Sequence, residues 1–216
     1  MRGLLEKDLR LLKGQKNFFL IILVITVLLS LNSSDNFAVT YLTFIAGFLT
    51  ISSFGYDDNG NCMPFLMTLP VSRKLYVKSK YLLGFLLTST GWLLGMIVSV
   101  VIAMVNKNMP RPEELLFQVI WVLLWMMVMA LTLPPLFKYG AEKGRMAMLA
   151  IMLILLAVIF AVSKLGEELG FDIDASIDAL SGLGTAAIVA GMTVVALVMV
   201  LISYSISAKI VQKKEY

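Results

Sequence analysis

Histidine is absent from this chain, and cysteine occurs once, as Cys62. Without histidine, neither a Ser-His-Asp hydrolase nor a His-ligated metal centre can be assembled. A lone cysteine closes no disulfide within the chain, and Cys62 reads as a small apolar filler. Charge is scarce as well: 15% of residues are Asp, Glu, Lys or Arg against 59% hydrophobic, with a mean hydropathy of +0.89. A soluble domain needs more polar surface than this composition supplies. No G-x-x-x-x-G-K-[ST] run occurs; GAEKGR at 140–145 lacks both the spacing and the hydroxyl, so the chain does not bind ATP by a P-loop. No basic patch interleaves with aromatics, which excludes nucleic acid as an expected partner. No cofactor or metal site is expected in the chain itself.

Long apolar runs are what the sequence has in quantity. About 17–25 apolar residues cross the roughly 30 Å of bilayer hydrocarbon as a helix. Six stretches approach or meet that length: 17–31, 37–54, 81–105, 115–137, 146–163 and 185–208. The first is short and draws on its flanks to complete a crossing. None carries a charge in its interior, which argues against proton relays and intramembrane ion pairs. The expected fold is therefore an all-α integral membrane protein of six transmembrane helices, one membrane domain over 1–216. Cations set its orientation. Segments 1–16, 55–80, 138–145 and 209–216 hold 15 of the 18 Lys and Arg residues, while eight of the 14 acids fall on the other side. Both termini are thus expected in the cytoplasm.

The cytoplasmic segments have shape. Over 1–16, Leu4, Leu5, Leu9, Leu11 and Leu12 cover one arc of a helix and Arg2, Glu6, Lys7, Arg10 and Lys13 lie outside it, the pattern of an interfacial amphipathic helix. Asp8 falls on the apolar side between Leu4 and Leu12, where a carboxylate needs a cationic partner or a path to water. In 55–80, Asp57 and Asp58 close the second span and Asn59-Gly60 supplies a turn. Pro64 suits the first position of a short helix bearing Phe65, Leu66, Met67 and Leu69, which Pro70 ends. Two turns at most cannot fold alone, so this element is expected to dock into a groove. Ser72 can cap the next helix. Of its cations, Lys78 and Lys80 read as inner-leaflet anchors, whereas Arg73 and Lys74 are equally suited to pair with Asp57, Asp58 or Asp8.

Acids closing the second span, a short apolar helix, then LPVSRKLYVKSKY at 69–81: this order resembles the permease subunits of ABC-2-type exporters. It is most similar to the small six-span bacterial branch that includes multidrug, bacteriocin-immunity and phenol-soluble-modulin exporters. The topology and the N-terminal helix extend the resemblance over nearly the whole chain. The resemblance implies a dimeric permease in the bacterial plasma membrane, homomeric or heteromeric, with ATP and Mg bound on a separate ABC ATPase subunit. It also implies that Pro64, Phe65, Leu66, Met67, Leu69 and Pro70 form the coupling helix between spans two and three, with Asp57, Asp58, Arg73 and Lys74 beside the contact. The cargo implied is an amphipathic or hydrophobic peptide, toxin or drug, exported by alternating access.

Small residues mark close helix contacts in lipid. Gly91 and Gly95 form the one in-span G-x-x-x-G, and Ala157/Ala161 and Ala187/Gly191 repeat the spacing. By resemblance, the first and fifth spans are candidates for the dimer seam. Pro134-Pro135 is expected to end or bend the fourth span before Lys138. Over 164–184, apolar residues at helical spacing among five acids predict short extracellular helices, which by resemblance gate the pathway between spans five and six. Two other classes fit the size: the substrate-binding membrane subunit of a vitamin importer, which should show small-residue motifs in its first span, and a scaffold or pore with no ATPase.

Overall fold

The computed structural model describes residues 2–32, 37–58, 66, 72–107, 112–168 and 184–213. All regular structure among them is helical: α1 (Arg2–Lys13), α2 (Lys16–Asn32), α3 (Phe37–Asp58), α4 (Arg73–Val105), α5 (Pro112–Phe117), α6 (Val119–Glu168) and α7 (Thr185–Lys213). Four stretches are long and apolar enough to cross a bilayer: Phe37–Asp58, Arg73–Val105, Glu114–Ile154 and Thr185–Lys213. Counting the pair Gly3–Lys13 and Lys16–Leu31, bent by 66°, as one span makes five. The expected six differ on two points. Helix α2 has only 17 residues, and the fourth and fifth spans are merged in the 50-residue α6.

Helix α6 is not straight. Gly140 has φ 83° and ψ −179°, outside helical geometry. In a straight helix residues eight apart are separated by about 12 Å, yet a Cβ added to Gly144 would lie 2.9 Å from Leu136 Cα. The chain therefore doubles back at Gly140. This corrects the expected end before Lys138: helical backbone runs through Pro134 and Pro135 as far as the glycine. Pro134 has no N–H for the Ala130 carbonyl, one turn back. The Ser203 hydroxyl of α7 donates to that carbonyl instead, at 2.5 Å. With the Ser203 proton so used, Tyr81 of α4 donates to Ser203 and receives the Ser207 proton, at 2.5 and 3.0 Å. Three helices are joined through a carbonyl that proline left open.

Helices α3 and α4 share the most extensive contact, followed by α6 and α7. Residues 84, 91 and 95 of α4 fall on one face, and each glycine there admits a neighbour. A Cβ on Gly91 would lie 2.4 Å from Ala46 Cβ, and one on Gly95 2.6 Å from Val39 Cα. Because the obstacle at Gly95 is backbone, Gly95→Leu is expected to force α3 and α4 apart, at a cost of about 1–3 kcal/mol. Gly191 of α7 meets nothing within 4 Å, so Gly191→Leu is the matched control. A drop in unfolding temperature for Gly95→Leu alone is expected in detergent; equal midpoints would refute the close packing.

Among the described residues an apolar core gathers at the end of the bundle where α3 finishes and α4 begins, around Phe54, Tyr76, Leu133, Leu136 and Phe137. Phe54 meets Phe137 edge-on at 4.8 Å. With 33 residues, α4 is about 50 Å long against roughly 30 Å of hydrocarbon. It therefore reaches past the membrane, and its N-terminal turns belong to this core.

Candidate coupling site

Three helices bring four charges together above the aromatic core. Asp8 comes from α1, Asp57 from α3 and Lys80 from α4, each almost fully buried, with the half-buried Lys7 of α1 at the edge. Lys80 Nζ lies 3.1 Å from an Asp8 oxygen, 2.7 Å from Asp57 and 3.1 Å from Ser53 Oγ. An ammonium has three protons and no lone pair, so these partners use its full capacity. Lys7 closes the ring by pairing with Asp57 and with Asp8, the latter at 3.2 Å. The Tyr76 hydroxyl donates to Asp57 at 3.0 Å. Two cations and two anions sum to zero, which makes burial tolerable. The rings of Phe54 and Tyr76 lie 5.9 and 5.8 Å from Lys80 Nζ and face the cation from below.

Burial draws the Lys7 pKa down, but the Asp57 bond and the two carboxylate charges outweigh it and hold Lys7 above the usual lysine range. A raised lysine stabilises the folded form below its unfolded pKa and loses that contribution only as pH rises through the folded value. The Lys7 contacts thus persist at neutral pH.

Two further contacts flank the cluster. The Ala141 N–H donates to Asp58 at 2.7 Å, so the last residue of α3 caps the helix that starts beyond the Gly140 turn. Arg73, in the first turn of α4, donates to the carbonyls of Gln212 at 2.7 Å and Val211 at 3.4 Å. A cation there suits the exposed carbonyls ending α7. Ser72 accepts from Leu75 N–H at 3.3 Å and starts α4 as an N-cap.

The predicted charged residues thus separate into four places. Asp8 and Asp57 meet in the cluster, Asp58 holds the Gly140 turn and Arg73 holds the end of α7. Lys74 is exposed. Lys80, expected as a lipid anchor beside Lys78, is corrected: Lys78 is exposed and Lys80 is 1% exposed with two carboxylate partners. Helical spacing carried the missed signal, because Lys80 extends the Gly84, Gly91, Gly95 stripe by one further step of four. Of the predicted coupling helix, Leu66 is buried in the core; Pro64, Phe65, Met67, Leu69 and Pro70 lie outside the described residues, as do 169–183 of the predicted outer helices. On α1, Leu4 and Leu12 are buried with Asp8, while Leu9 and Leu11 are exposed.

This combination defines a multi-pass membrane protein in which Lys7, Asp8, Asp57, Asp58, Arg73 and Lys80 tie one helix to another. The family described as ABC-2 family transporter protein matches residues 3–212, and the chain belongs to that family as a transporter membrane component. Membership implies in general an ATPase partner, and permeases of this family are typically non-catalytic. No curated protein and no solved structure matches the chain.

Proposed function

We propose that this chain is the permease subunit of an ABC exporter, and that segment 59–71 takes the stroke of a separate cytoplasmic ATPase. The observation that carries this reading is how both ends of the segment are tied. Asp57 enters the ionic cluster and Asp58 caps the Gly140 turn on one side; Arg73 holds the end of α7 on the other. A push on the segment is thereby shared among α1, α3, α4, α6 and α7 instead of bending a loose loop. Alternating access then follows as rigid elements rock about fixed contacts.

The rest of the reading rests on the cation distribution, the two bends and the resemblance. Fifteen of 18 cations fall on the side of this segment, favouring cytoplasmic termini. The fold-back at Gly140 and the 66° bend before α2 support six crossings with α1 lying along the interface. The cargo is an amphipathic or hydrophobic peptide, toxin or drug, moved outward by a dimer in the bacterial plasma membrane, with ATP and Mg on the ATPase.

Leu66 is committed to the core, so the test falls on Phe65. Purified from its host membrane, the wild-type chain is expected to bring an ABC ATPase with it, identified by mass spectrometry. Phe65→Asp is expected to lower that recovery about tenfold or more, as loss of a central apolar anchor does, while inserting normally. Undiminished recovery from the variant would overturn the coupling role.

A further inference from the structure

At the 66° bend between α1 and α2, a groove of about 560 Å³ lies between these helices and α4. Lys13, the last residue of α1, and Lys16, the first of α2, stand at the bend, and Phe19, Leu20, Leu23 and Leu87 continue the lining away from it. Leu23 is seven residues beyond Lys16, about 10 Å farther along the helix. The groove is charged at one end and apolar along its length.

Both lysines are exposed, and among the described residues neither meets a carboxylate. The acids of α1 are engaged elsewhere: Glu6 pairs with Arg10 at 2.5 Å, and Asp8 is buried against Lys80. Helix α2 starts at Lys16 and adds the positive end of its dipole. Two ammonium groups and a helix start thus present positive charge with no anion to answer it. From Phe18 to Leu31, α2 is apolar apart from Thr26 and Ser30, so hydrocarbon begins at Phe18 and the lysines stand at headgroup level. Other recesses among the described residues lack this combination. The one behind Phe44, backed by Trp125, has no charged lining; the one between α2 and α3 ends in Gln15, Ser52 and Tyr56; and the one beside Tyr204, of about 260 Å³, has Lys78 alone. Charge singles out the groove at the bend, where apolar area does not.

We propose that this groove seats one anionic phospholipid, with its phosphate between Lys13 and Lys16 and one acyl chain along Leu20, Leu23 and Leu87. A zwitterionic lipid brings the same chain, but its own cation offsets the attraction; a soluble phosphate brings the charge without the chain. Only an anionic lipid complements both ends. Lys13 is five residues from Asp8 on the same helix, so an occupied groove holds α1 at the angle that keeps Lys7 and Asp8 in the ionic cluster.

The test uses the full-length chain in phosphatidylcholine vesicles containing a trace of either phosphatidylglycerol or phosphatidylcholine, each bearing the same diazirine part-way along one acyl chain. After irradiation, adducts are mapped by mass spectrometry. On Leu20, Leu23 and Leu87 the phosphatidylglycerol probe is expected to exceed the phosphatidylcholine probe by about tenfold, the preference that two lysines near an anionic headgroup support. Ile21 and Ile25 face the recess between α2 and α3 at similar depth, and there the two probes are expected to label equally. Lys13→Gln with Lys16→Gln is expected to abolish the preference in the groove while leaving the Ile21 and Ile25 adducts unchanged, which also shows that the variant is folded. Lys74→Gln with Lys78→Gln is expected to leave the preference intact. Equal labelling of the groove by both probes, absence of groove adducts from either, or a preference that survives the loss of Lys13 and Lys16 overturns the site. An equal loss in the Lys74 and Lys78 variant would reduce the preference to diffuse attraction, and suppression by glycerol phosphate would assign the lysines to a soluble anion; both overturn the lipid seat. The proposal is read without any ATPase, so its failure leaves the exporter reading intact.

Discussion

Lys80→Met is expected to destabilise the folded chain by about 3–5 kcal/mol, the loss seen when one partner of a buried ion pair is removed. The methionine fills much of the same volume, so the effect isolates charge. Without Lys80, the carboxylates of Asp8 and Asp57 remain buried and share only Lys7, leaving one uncompensated negative charge in an apolar setting. Adding Asp8→Asn returns the cluster to zero net charge and is expected to recover part of the loss. Lys74→Met and Lys78→Met change exposed cations and are expected to stay within about 0.5 kcal/mol of wild type. Thermal unfolding in detergent measures all four. A Lys80→Met midpoint no lower than those of the two exposed variants would refute a closed ionic cluster, and the absence of any recovery by Asp8→Asn would refute charge balance as its principle.

Gly140→Ala is expected to have the second largest effect. Its φ of 83° and ψ of −179° lie in a region open in practice only to glycine, with a cost of about 1–3 kcal/mol for other residues. Space adds to conformation: a Cβ there would lie 2.6 Å from the Asp58 carboxylate. Asp58 must then give up the Ala141 N–H, a capping contact of about 1 kcal/mol. Asp58→Asn keeps an oxygen for that N–H and leaves the glycine unaltered, so it is expected to lose much less. The outcome is read from unfolding midpoints and from protease cleavage within 138–145, which should accelerate only in Gly140→Ala. A wild-type cleavage rate and midpoint for that variant would show that the turn does not depend on this geometry.

Helix identity was legible because it depends on hydropathy, which is local along the chain. The joint between the fourth and fifth spans was less so. GAEKGR contains glycine and charge, but that its first residue needs positive φ follows only once Asp58 from another helix is placed beside it. Similarly, Asp8 announced a partner by standing between Leu4 and Leu12, but Arg73 and Lys74 were the cations that composition offered for the role. Choosing Lys80 required treating the start of α4 as a continuation of the glycine stripe, so that a residue counted among interfacial lysines is seen to face α3. The Ser203 hydroxyl gave no warning, since serine in a span commonly satisfies itself on its own helix, as Ser205 does on Leu201. What singles it out is the Ala130 carbonyl opened by a proline on a different helix.

Lys80 and Tyr81 are consecutive on α4, about 100° apart around its axis. One is fastened to α1 and α3, the other to α7 and through Ser203 to α6. Any spin of this rod must unfasten both rungs at once, while a tilt or a slide carries all its neighbours along. The helix behaves as a keyed shaft, and a displacement applied at its N-terminal end passes to the four helices that these two rungs fasten.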